Sequence, residues 1–531
     1  MTYKGFSRAA LSAAILTLAA CGGGSGGGGG GTTSVPEGTP GSVERLIFPV
    51  VSASNRSLFD MYTTDGSAEG TGLLKDINEG QLVVQQYYDG RDPILFSDGK
   101  FYFGAQSPSE GRELRVSDGT EAGTSVLVDI EGSSYPLDLQ WMDGKLAFSA
   151  GTTGFAREFF VYDLDAETLT EIDVGGEDSK NIHGMQTVGN SIFILGRGVT
   201  SDSRSVPALY VSDGSQEGTQ PVFVEGEPVG GSVAVKQPAE SVAVQRIEPE
   251  ANAPYVLADG DYYPTNIKLH SLTSFAGRLF FLANNDPNNQ SSLLLYSVAE
   301  DGSDVRRELG EDVTFVQNLT VVGDTLYFYA DRRINAATFT RHVYAYDGTT
   351  LHESGDFPEE LFTSNFYSTS LGLFIVTSNN VYRTTLEDGE FSFKNMHPGD
   401  TMTTYVGVKS RTQFGELFTE VDGTIYFVAE TIIAGQPAGD ELWKTDGTPE
   451  GTVFALETND LTSGDTISSS PRSLLTRYAD VALVSGEVAG KLLFSAYDNS
   501  PTPKLHAYIS DGTAEGTVKL MELPNQVYRS P

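Results

Sequence analysis

The stretch ELWKTDGTPEGT, from Glu441 to Thr452, decides the fold because close relatives of it recur along the chain. In each copy an apolar segment leads into Asp-Gly-Thr or Asp-Gly-Ser, two variable positions follow, and Gly-Thr leads into a second apolar segment. Glycine supplies positive φ in such a turn, and the aspartate carboxylate accepts hydrogen bonds from nearby backbone amides. The pattern predicts a β-hairpin that is largely fixed by local interactions. The other copies are MYTTDGSAEGT (Met61 to Thr71), ELRVSDGTEAGT (Glu113 to Thr124), ALYVSDGSQEGT (Ala208 to Thr219) and AYISDGTAEGT (Ala507 to Thr517).

The Asp-Gly pairs of these hairpins are predicted to be structural residues. A catalytic carboxylate pair is needed once in a protein, whereas these aspartates recur at one turn position in every copy. The hydrogen-bonding requirement of the turn explains that recurrence. The residues concerned are Asp65, Gly66, Asp118, Gly119, Asp213, Gly214, Asp446, Gly447, Asp511 and Gly512.

A second element recurs as regularly as the hairpin. It is a strand of five or six residues that usually contains Phe, such as KFYFGA (Lys100 to Ala105) and TIYFVA (Thr424 to Ala429). It occurs nine times, and each copy is followed by a hairpin that is either well preserved or, in units three, five, six and seven, degenerate. With the short segments between them, each unit holds four antiparallel strands in about 40 to 60 residues.

Repeated four-stranded antiparallel units are typical of a β-propeller, in which each unit forms one blade. The apolar residues of the Phe strands are nearly contiguous, so both faces of each strand need cover, and neighbouring blades supply it. We therefore predict an all-β fold, a single large β-propeller with eight to nine four-stranded antiparallel blades. The alternative is two smaller propellers that divide near residue 230.

The hairpins resemble the ELWxxDGT repeat family of bacterial exported proteins, and the resemblance covers most of residues 45–523. Five hairpins match closely across the Asp-Gly-Thr/Ser and Gly-Thr core, while four have lost that core. The resemblance implies tandem β-repeats on secreted or surface proteins. It brings no catalytic residues with it.

The first unit begins directly at its Phe strand, Leu46 to Val50, without a preceding first strand. The C-terminal segment Asn525 to Ser530 follows the ninth hairpin and contains Val527 and Tyr528. We predict that this segment supplies the missing strand, so that both termini meet in one blade.

The N-terminal residues predict export and a lipid anchor. The apolar run from Ala9 to Ala20 follows two basic residues and is too short to span a bilayer as a mature helix. It ends at Leu18-Ala19-Ala20-Cys21, which resembles the lipobox of bacterial lipoproteins. That resemblance implies cleavage before Cys21 and lipid on its thiol. Because Gly22 rather than Asp follows, it also implies sorting to the outer membrane.

These features divide the chain into three predicted parts. Residues 1–20 form a lipoprotein signal peptide, residues 21–44 a lipid-anchored, Gly-rich disordered tether, and residues 45–531 the propeller, with an insertion at about 225–268. Cys21 is the only cysteine, so an internal disulfide is excluded. The expected location is the outer membrane, on its periplasmic or cell-surface side.

The charge of the chain restricts its partners. The formal net charge is −37 and the pI is about 4.4. A surface this acidic argues against nucleic acid and against docking on anionic headgroups through a basic patch. The predicted partners are the membrane, through the lipid on Cys21, and an envelope protein or polysaccharide.

The predicted blades have two unlike ends. The short turns that join the first to the second strand and the third to the fourth strand lie at one end. The longer, variable connections lie at the other, which we call the loop-rich end, and rigid scaffolds place recognition on such loops. Aromatic side chains beside polar groups suit sugars or protein partners. The candidate binding residues there are Tyr255, Asp259, Asp261, Tyr262, Tyr263, Asn285, Asp286, Arg332 and Arg333.

No motif for metal, phosphate or nucleophilic chemistry is found in the sequence. The six histidines are scattered, and the single Gly-x-Ser-x-Gly match lies inside the Gly-rich tether. Two pairs, Asp163/Asp165 and Asp259/Asp261, lack the rest of an EF-hand loop. We predict no cofactor, and structural calcium is the one metal that the sequence leaves open.

The expected function is therefore non-catalytic. The protein is predicted to be a lipid-anchored envelope or cell-surface β-propeller that acts as a binding, scaffold or adhesion module through its loop-rich face. The alternative is a glycan-acting hydrolase or lyase that uses carboxylates at the mouth of the central channel. Clustered carboxylates with raised pKa at that mouth would favour the enzyme.

Overall fold

A computed structural model describes most of the chain beyond residue 44. It shows nine four-stranded antiparallel sheets arranged as the blades of one β-propeller, which confirms the predicted architecture. The described residues are 45–51, 58–75, 84–85, 94–107, 111–130, 134–153, 156–174, 182, 184–199, 205–224, 227–228, 271–284, 293–310, 312–335, 338–355, 357, 365–377, 380–396, 418–433, 436–456, 486–488, 490–497 and 504–523.

The first three blades are formed by residues before the fourth hairpin. Blade 1 contains β1 (Leu46–Val51), β2 (Leu58–Thr64), β3 (Gly72–Leu73) and β4 (Val84–Gln85). Blade 2 contains β5 (Ile94–Ser97), β6 (Lys100–Ser107), β7 (Gly111–Ser117) and β8 (Ser125–Val128). Blade 3 contains β9 (Leu137–Met142), β10 (Lys145–Thr153), β11 (Ala156–Asp163) and β12 (Thr168–Ile172).

The middle blades are separated by a small additional hairpin. Blade 4 contains β13 (Gly184–Val188), β14 (Ser191–Val199), β15 (Ser205–Ser212) and β16 (Gln220–Pro221), and it is followed by the paired strands β17 (Phe223–Val224) and β18 (Glu227–Pro228). Blade 5 contains β19 (Thr273–Phe275), β20 (Arg278–Asn284), β21 (Leu293–Ala299) and β22 (Arg306–Arg307). Blade 6 contains β23 (Val313–Val322), β24 (Thr325–Asn335), β25 (Thr338–Tyr346) and β26 (Leu351–Glu353).

The last three blades complete the ring. Blade 7 contains β27 (Asn365–Thr369), β28 (Gly372–Val376), β29 (Val381–Glu387) and β30 (Glu390–Asn395). Blade 8 contains β31 (Phe418–Val421), β32 (Thr424–Ile433), β33 (Gln436–Thr445) and β34 (Val453–Leu456). Blade 9 contains β35 (Gly486–Val488), β36 (Lys491–Tyr497), β37 (Leu505–Ser510) and β38 (Val518–Glu522).

Buried side chains join every blade to the next in a single ring. Val211 of blade 4 and Leu279 of blade 5 share one apolar cluster, so packing continues across the insertion. Leu46 of blade 1 shares another cluster with Leu493 and Ile509 of blade 9, which closes the ring. The alternative of two smaller propellers is therefore wrong.

The Phe strands are covered on both faces, as their contiguous apolar residues predict. In β24, Leu326 and Phe328 pack towards blade 5, whereas Tyr327 and Tyr329 pack towards blade 7. Phe328 also stacks on Tyr344 of the next strand, with ring centroids 5.3 Å apart. Because each aromatic side chain buries a large apolar area, these layers account for much of the cohesion between blades.

The aspartate of the repeated hairpin holds the turn by hydrogen bonds. Asp446 Oδ1 accepts from the Thr448 amide at 2.9 Å and from the Thr448 hydroxyl at 2.7 Å. The Thr448 hydroxyl in turn accepts from the Gly451 amide at 2.9 Å. A Cβ on Gly451 would lie 2.0 Å from the Asp446 carboxylate, so the second glycine leaves room for the first aspartate. All five well-preserved copies repeat this geometry.

A buried hydroxyl before each motif aspartate completes the loop. Thr445 and Thr452, at opposite ends of the motif, place their hydroxyl oxygens 2.7 Å apart. The Gly447 amide donates to the Thr445 hydroxyl at 3.0 Å, while Gly447 itself has a φ of 84°. The motif therefore extends one residue further towards the N-terminus than Asp-Gly-Thr, to a Ser or Thr in each copy.

Four of the five Asp-Gly turns, those at Gly119, Gly214, Gly447 and Gly512, also contact the preceding blade, so these hairpins are not fixed by local interactions alone. The carbonyl of Gly447 accepts from Arg383 Nη1 of blade 7 at 3.1 Å. The carbonyl of Gly119 accepts from the Thr63 hydroxyl of blade 1 at 2.7 Å. A Cβ on Gly214 would lie 2.5 Å from Met142 Cε of blade 3. The first glycine is thus required by close approach between blades as well as by its φ.

Two of the four degenerate hairpins keep the same turn. Asp301 Oδ1 accepts from the Ser303 amide at 2.9 Å, and Asp347 Oδ1 accepts from the Thr349 amide at 2.8 Å. Both are followed by a glycine with positive φ. The repeat is therefore better preserved in space than in sequence, because the Asp turn survives the loss of the later Gly-Thr.

The first blade differs from the others at its inner edge. Within the described residues, β1 pairs with β2 alone, while β3 and β4 share the opposite edge of β2. The blade thus has three strand positions filled by residues 46–85. The segment Asn525 to Ser530 lies outside the described residues, so the proposed closure by the C-terminus stays a prediction.

Ser and Thr hydroxyls lower the pKa of the motif aspartates. The side-chain hydrogen bond from Thr448 is the largest influence on the pKa of Asp446, and the amide of Thr448 adds to it. The pKa values of Asp65, Asp118, Asp213 and Asp511 are lowered in the same way. The folded protein therefore favours the ionised form at each of these turns.

Replacing Gly218 with Ala should destabilise the protein by about 2 kcal/mol, because the new Cβ would lie 2.0 Å from Asp213 Oδ1 and displace the turn. Gly184→Ala is the matched control, since that position in the same blade has nothing within 4 Å. Urea denaturation of both variants measures the effect. Equal midpoints for the two would contradict the turn geometry.

Replacing all five motif aspartates with Asn should make stability less dependent on acid pH. A lowered carboxyl pKa stabilises the fold above the unfolded-state value of about 4, and that contribution is lost as the pH falls through the folded-state pKa. Wild type should therefore exceed the variant in melting temperature at neutral pH, and the gap should close at low pH. A gap that is the same at every pH would show that ionisation contributes nothing.

Candidate binding site at the loop-rich end

Most of the predicted binding residues lie outside the described residues. These are Tyr255, Asp259, Asp261, Tyr262, Tyr263, Asn285 and Asp286, as well as the predicted lipidation site Cys21. Arg332 and Arg333 are described, and both belong to β24 of blade 6. The structure therefore locates one part of the predicted face.

The connection around Arg332 is a strand extension rather than the loop suggested by its polar sequence. Strands β24 and β25 have 11 and 9 residues and pair up to Asn335 and Thr338, with a bulge at Ile334. The hairpin of β32 and β33 in blade 8 is similarly long, with 10 residues in each strand. Two of the variable connections at this end are thus extensions of β-hairpins.

Blade 7 is much shorter than its two neighbours at this end. Beyond the pairs Phe328 with Tyr344 in blade 6 and Phe427 with Trp443 in blade 8, six further residue pairs extend each hairpin. The hairpin of blade 7 has only one residue pair beyond Ile375, which is Val376 with Val381. Its turn then closes with a hydrogen bond from the Thr377 amide to the Asn380 carbonyl, at 2.9 Å. Five residue pairs correspond to about 16 Å. We call this difference in height between the described hairpins of blades 6, 7 and 8 the blade 7 notch.

One face of the blade 6 hairpin forms a wall of the notch. Tyr329 and Val343 pack against blade 7, and side chains alternate along a strand. Asp331 and Arg333 therefore continue the Tyr329 side, and Arg341 and Phe339 continue the Val343 side, above the core. The contact between the Arg341 guanidinium and the Tyr329 ring, at 5.5 Å, agrees with this placement.

An ion pair braces the lower part of this wall. Arg341 donates from Nε and Nη2 to the two Asp331 carboxylate oxygens, at 2.6 and 2.9 Å. Its guanidinium also lies over the rings of Phe315, at 5.3 Å, and Tyr329. Both charged side chains are largely shielded from solvent, so a bidentate pair here is stronger than an ordinary surface pair. It braces the hairpin beyond the last described residue pair of blade 7.

The upper part of the wall is exposed. The Arg333 guanidinium lies over the Phe339 ring at 5.7 Å from its centroid. Phe339 is 46% exposed and Ile334, at the bulge near the tip, is 57% exposed. Ile334 has the largest exposed fraction among the large hydrophobic side chains of the described residues. The end of the hairpin thus exposes an arginine stacked on an aromatic ring, and an aliphatic residue at the adjacent bulge.

Arg332 lies on the opposite face of the hairpin and is engaged within the blade. Its Nη1 donates to Asp312 Oδ2 at 2.9 Å, and its Nη2 donates to Glu353. His342, on the same face, is bonded through Nδ1 to the Ser354 carbonyl at 2.9 Å. The two predicted arginines are therefore separated by the strand, and Arg333 faces the notch.

The buried carboxylate of Glu113 has a structural role at the same end. Burial raises its pKa, while its Oε2 accepts from the Ile130 amide at 3.0 Å and the Ser134 hydroxyl at 2.8 Å. These bonds attach β7 to the connection that leads into blade 3. Glu113 is the Glu of the Glu-Leu-x-x-x-Asp-Gly sequence in blade 2, so these bonds give that residue a structural role in its own copy of the repeat.

The metal-binding capacity of the described residues bears on the calcium site that the sequence left open. These residues contain no group of three or more His, Cys, Asp or Glu side chains that could hold a metal ion. Asp163 Oδ1 accepts from the Asp165 and Ala166 amides at 3.1 and 2.9 Å, which is the arrangement of an Asp turn. The pair Asp259/Asp261 lies outside the described residues.

Sequence reasoning did not single out Ile334, Phe339 or Arg341. The polar segment from Asp331 to Arg341 contains apolar residues at positions 334 and 339, which signal exposure only if the segment is recognised as a hairpin. The alternation of Asp331, Arg333 and the preceding Tyr329 was the available signal. The notch itself depends on a comparison of hairpin lengths between blades.

Among the described residues, no helix has the length and apolar character needed to cross a membrane. This observation concerns the described part of the chain alone.

Comparison with known proteins gives fold-level similarity. No family model matches the chain, and no curated protein matches it. A similar solved structure is the β-propeller domain of the Trilobed protease from Pyrococcus furiosus, with 13% identity and a TM-score of 0.32, over 67% of this chain and 95% of that one.

Two peptidases give similar values. One, from a study of two prolyl endopeptidases, has 12% identity and a TM-score of 0.36, over 78% of this chain and 52% of its own. A post-proline cleaving enzyme from Rickettsia typhi has 12% identity and a TM-score of 0.36, over 80% and 58%. The chain thus spans between half and two thirds of these two enzymes. Similarity at this level gives no argument about activity.

Replacing Arg341 with Ala should loosen the blade 6 hairpin, because Asp331 would lose its bidentate partner. We expect faster amide hydrogen exchange in β24 and β25 beyond Ala330, with a local loss of about 1–2 kcal/mol. Arg333→Ala is the control, since its guanidinium stacks at the exposed tip. Equal exchange in the two variants would show that the ion pair is not the brace.

Proposed function

We propose that the protein is a non-catalytic, lipid-anchored binding module of the bacterial envelope or cell surface, which recognises its partner through the loop-rich end. The observation that carries the proposal is the blade 7 notch with its exposed wall. Arg333 and Phe339 are of the residue types enriched at protein interfaces. They stand on a hairpin braced by Arg341, so little conformational entropy would be lost on binding.

The contrast between the two ends supports this assignment. At the turn end, the motif residues are used in hydrogen bonds within and between blades, as at Gly119 and Gly447. At the loop-rich end, Ile334 and Phe339 have large exposed apolar surfaces on rigid backbone. Exposed apolar groups held in this way are typical of interaction sites.

The alternative of a glycan-acting enzyme has no specific observation in its favour. Glu113 is a described carboxyl group with a clearly raised pKa, and it is buried and bonded to Ile130 and Ser134. Burial of the Glu113 side chain accounts for its raised pKa. We therefore retain binding as the proposed activity.

The position at which the N-terminal segment enters the propeller supports a defined orientation of the propeller relative to the membrane. Arg45, just before β1, lies beside the turn end, where it pairs with Asp65 at 3.5 Å and packs on Gly119. A tether over residues 22–44 would reach this end first, and a flexible chain of that length has a root-mean-square span of about 26 Å. A lipid on Cys21 would then hold the turn end towards the membrane and leave the loop-rich end directed away from it.

Replacing Cys21 with Ser should release the protein from membranes, because the proposed lipid attachment would be lost. Fractionation of the source cells, followed by immunoblotting of soluble and membrane fractions, measures the change. Ser25→Ala in the predicted tether is the control and should leave the protein with the membrane. Membrane association of the Cys21→Ser variant would disprove the anchor.

The binding face can be tested separately in the intact cell. A photo-cross-linking amino acid at Asn335, at the tip of the blade 6 hairpin, should give one defined adduct that mass spectrometry identifies and that Phe339→Ala abolishes. The same amino acid at Thr513, exposed at the turn end, is the control. Adducts from Thr513 alone would place binding at the wrong end.

A further inference from the structure

We infer that the aspartates in the two-residue turns of the propeller are sites of spontaneous isomerisation to isoaspartate, and that the repeated motif protects its own Asp-Gly bonds from the same reaction. The described residues contain eleven Asp-Gly bonds, five in the motif, four in two-residue turns and two in the degenerate hairpins of blades 5 and 6. The turn aspartates are Asp98, Asp143, Asp388 and Asp422. This chemistry does not depend on the proposed binding function.

Isomerisation at an Asp-Gly bond requires no reagent other than water. The glycine amide nitrogen attacks Cγ of the neutral aspartic acid side chain, a C–N bond forms, and the hydroxyl group leaves as water with the amide proton. Hydrolysis of the resulting succinimide at its α-carbonyl carbon then breaks the original peptide bond and leaves the chain joined through the β-carboxyl group. Glycine favours the reaction because no side chain shields its backbone. The rate therefore depends on whether the carboxyl group is neutral and whether the glycine nitrogen is free to reach it.

The motif holds both reacting groups in other hydrogen bonds. Asp446 Oδ1 accepts from the amide and the hydroxyl of Thr448, at 2.9 and 2.7 Å. The Gly447 amide donates to the Thr445 hydroxyl at 3.0 Å, and that hydroxyl is held by the Thr452 hydroxyl at 2.7 Å. The glycine amide makes the same bond in all five copies, at 2.9 to 3.0 Å. Ring closure would have to break these bonds before it could form the new one.

The same hydrogen bonds keep the motif carboxylates ionised. The hydroxyl of Thr448, followed by its amide, lowers the pKa of Asp446, and the pKa values of the other four motif aspartates are also lowered. An ionised carboxylate resists attack by the nitrogen, because its carbon is a poor electrophile and it has no good leaving group. The motif thus reduces the reactive, neutral fraction of each aspartate.

The two degenerate hairpins that keep the Asp turn are protected in a similar way. The glycine amide that follows Asp301 donates to the Ala299 carbonyl at 2.9 Å. Hydrogen bonds, chiefly from the Thr350 amide, lower the pKa of Asp347 to about 2. Seven of the eleven Asp-Gly bonds therefore lie in turns that oppose the reaction.

The two-residue turns lack these bonds. Asp98 and Gly99 lie between the paired residues Ser97 and Lys100, and their φ angles of 51° and 70° agree with a type I′ turn. Within the described part of the chain, the Asp98 carboxylate accepts no hydrogen bond and the Gly99 amide donates none. Both residues are exposed, and a Cβ on Gly99 would have nothing within 4 Å. Because exposed turns open locally at little cost, the nitrogen and the carboxyl group can meet there.

Asp143, Asp388 and Asp422 share this arrangement. Their φ angles are 42°, 51° and 48°, and each is exposed in a turn between two directly paired residues. The turns at Asp98, Asp143 and Asp422 join the first to the second strand of their blades, so they lie on the inner side of the turn end. Isoaspartate there would lengthen the main chain by one carbon in a turn whose length sets the hairpin register. Chemical ageing should therefore begin at these turns rather than at the motif.

Ageing the purified full chain in warm, mildly acidic buffer tests this assignment. Mass spectrometry of the digested protein, with electron-transfer fragmentation, distinguishes isoaspartate from aspartate at each position. Isoaspartate should accumulate at Asp98, Asp143, Asp388 and Asp422 about tenfold faster than at Asp446 or more, since more than one hydrogen bond protects the motif. The chain kept unfolded in urea is the control, and its Asp-Gly bonds should all isomerise at similar rates.

Three variants test the protective bond itself. Thr445→Val removes the hydroxyl but keeps the shape of the side chain, and it should raise the isomerisation rate at Asp446 by about fivefold, as expected for one lost hydrogen bond. Thr445→Ser keeps a hydroxyl, as Ser510 does in blade 9, and should preserve the wild-type rate. Thr384→Val is the matched control, since that buried hydroxyl has no partner within the described residues. It should leave the rate at Asp446 unchanged.

Three results would overturn the inference. Isoaspartate that forms as fast at Asp446 as at Asp98 in the folded protein would exclude protection by the motif. A folded chain in which no Asp-Gly bond isomerises, while the unfolded chain reacts, would exclude the two-residue turns as sites. An unchanged rate at Asp446 in Thr445→Val would show that the hydroxyl is not responsible. Because no ligand enters these experiments, their failure leaves the proposed binding function unaffected.

Discussion

The contact between an Asp-Gly turn and the blade before it, seen in four of the five motif copies, is the constraint on which the rest of the structure depends. Gly447 must adopt positive φ for its own turn, and its carbonyl must also reach Arg383 in the neighbouring blade. A Cβ at Gly214 would lie 2.5 Å from Met142 Cε of the preceding blade, so the Met142 side chain would have to move. One short motif thus folds a hairpin and sets the spacing to its neighbour, which is why the same few residues recur around the ring.

The two ends of the propeller are therefore constrained to different degrees in sequence and strand length. The turn end is occupied by interactions that every blade needs, so its sequence is repetitive. The loop-rich end carries no such requirement, and strands there extend by different lengths. Where a hairpin rises above the ring it loses the cover of neighbouring blades, so it requires its own support. In blade 6 the bidentate pair of Arg341 with Asp331 supplies that support.

Carboxylates have several distinct structural roles in this acidic protein. Asp446 and its equivalents order turns, Glu113 attaches a strand to the connection between blades, and Asp331 braces a hairpin. Glu420 of blade 8 accepts from the Ser370 amide of blade 7 at 2.7 Å and so links adjacent inner turns. Part of the negative charge is therefore a consequence of how turns and joints are built, and acidity alone does not indicate catalysis or metal binding.

The sequence by itself determined the repeat, the four-stranded unit and the propeller, because hairpin chemistry is local and strand periodicity is visible in the order of residues. It also marked the Asp-Gly turns and Arg333. Only the tertiary structure decided that the first glycine joins two blades, that Arg332 and Arg333 lie on opposite faces of a strand, and that blade 7 is shorter than its neighbours. These features depend on distances between segments that are far apart in the chain, and such distances are set by the packing of whole blades rather than by any local pattern.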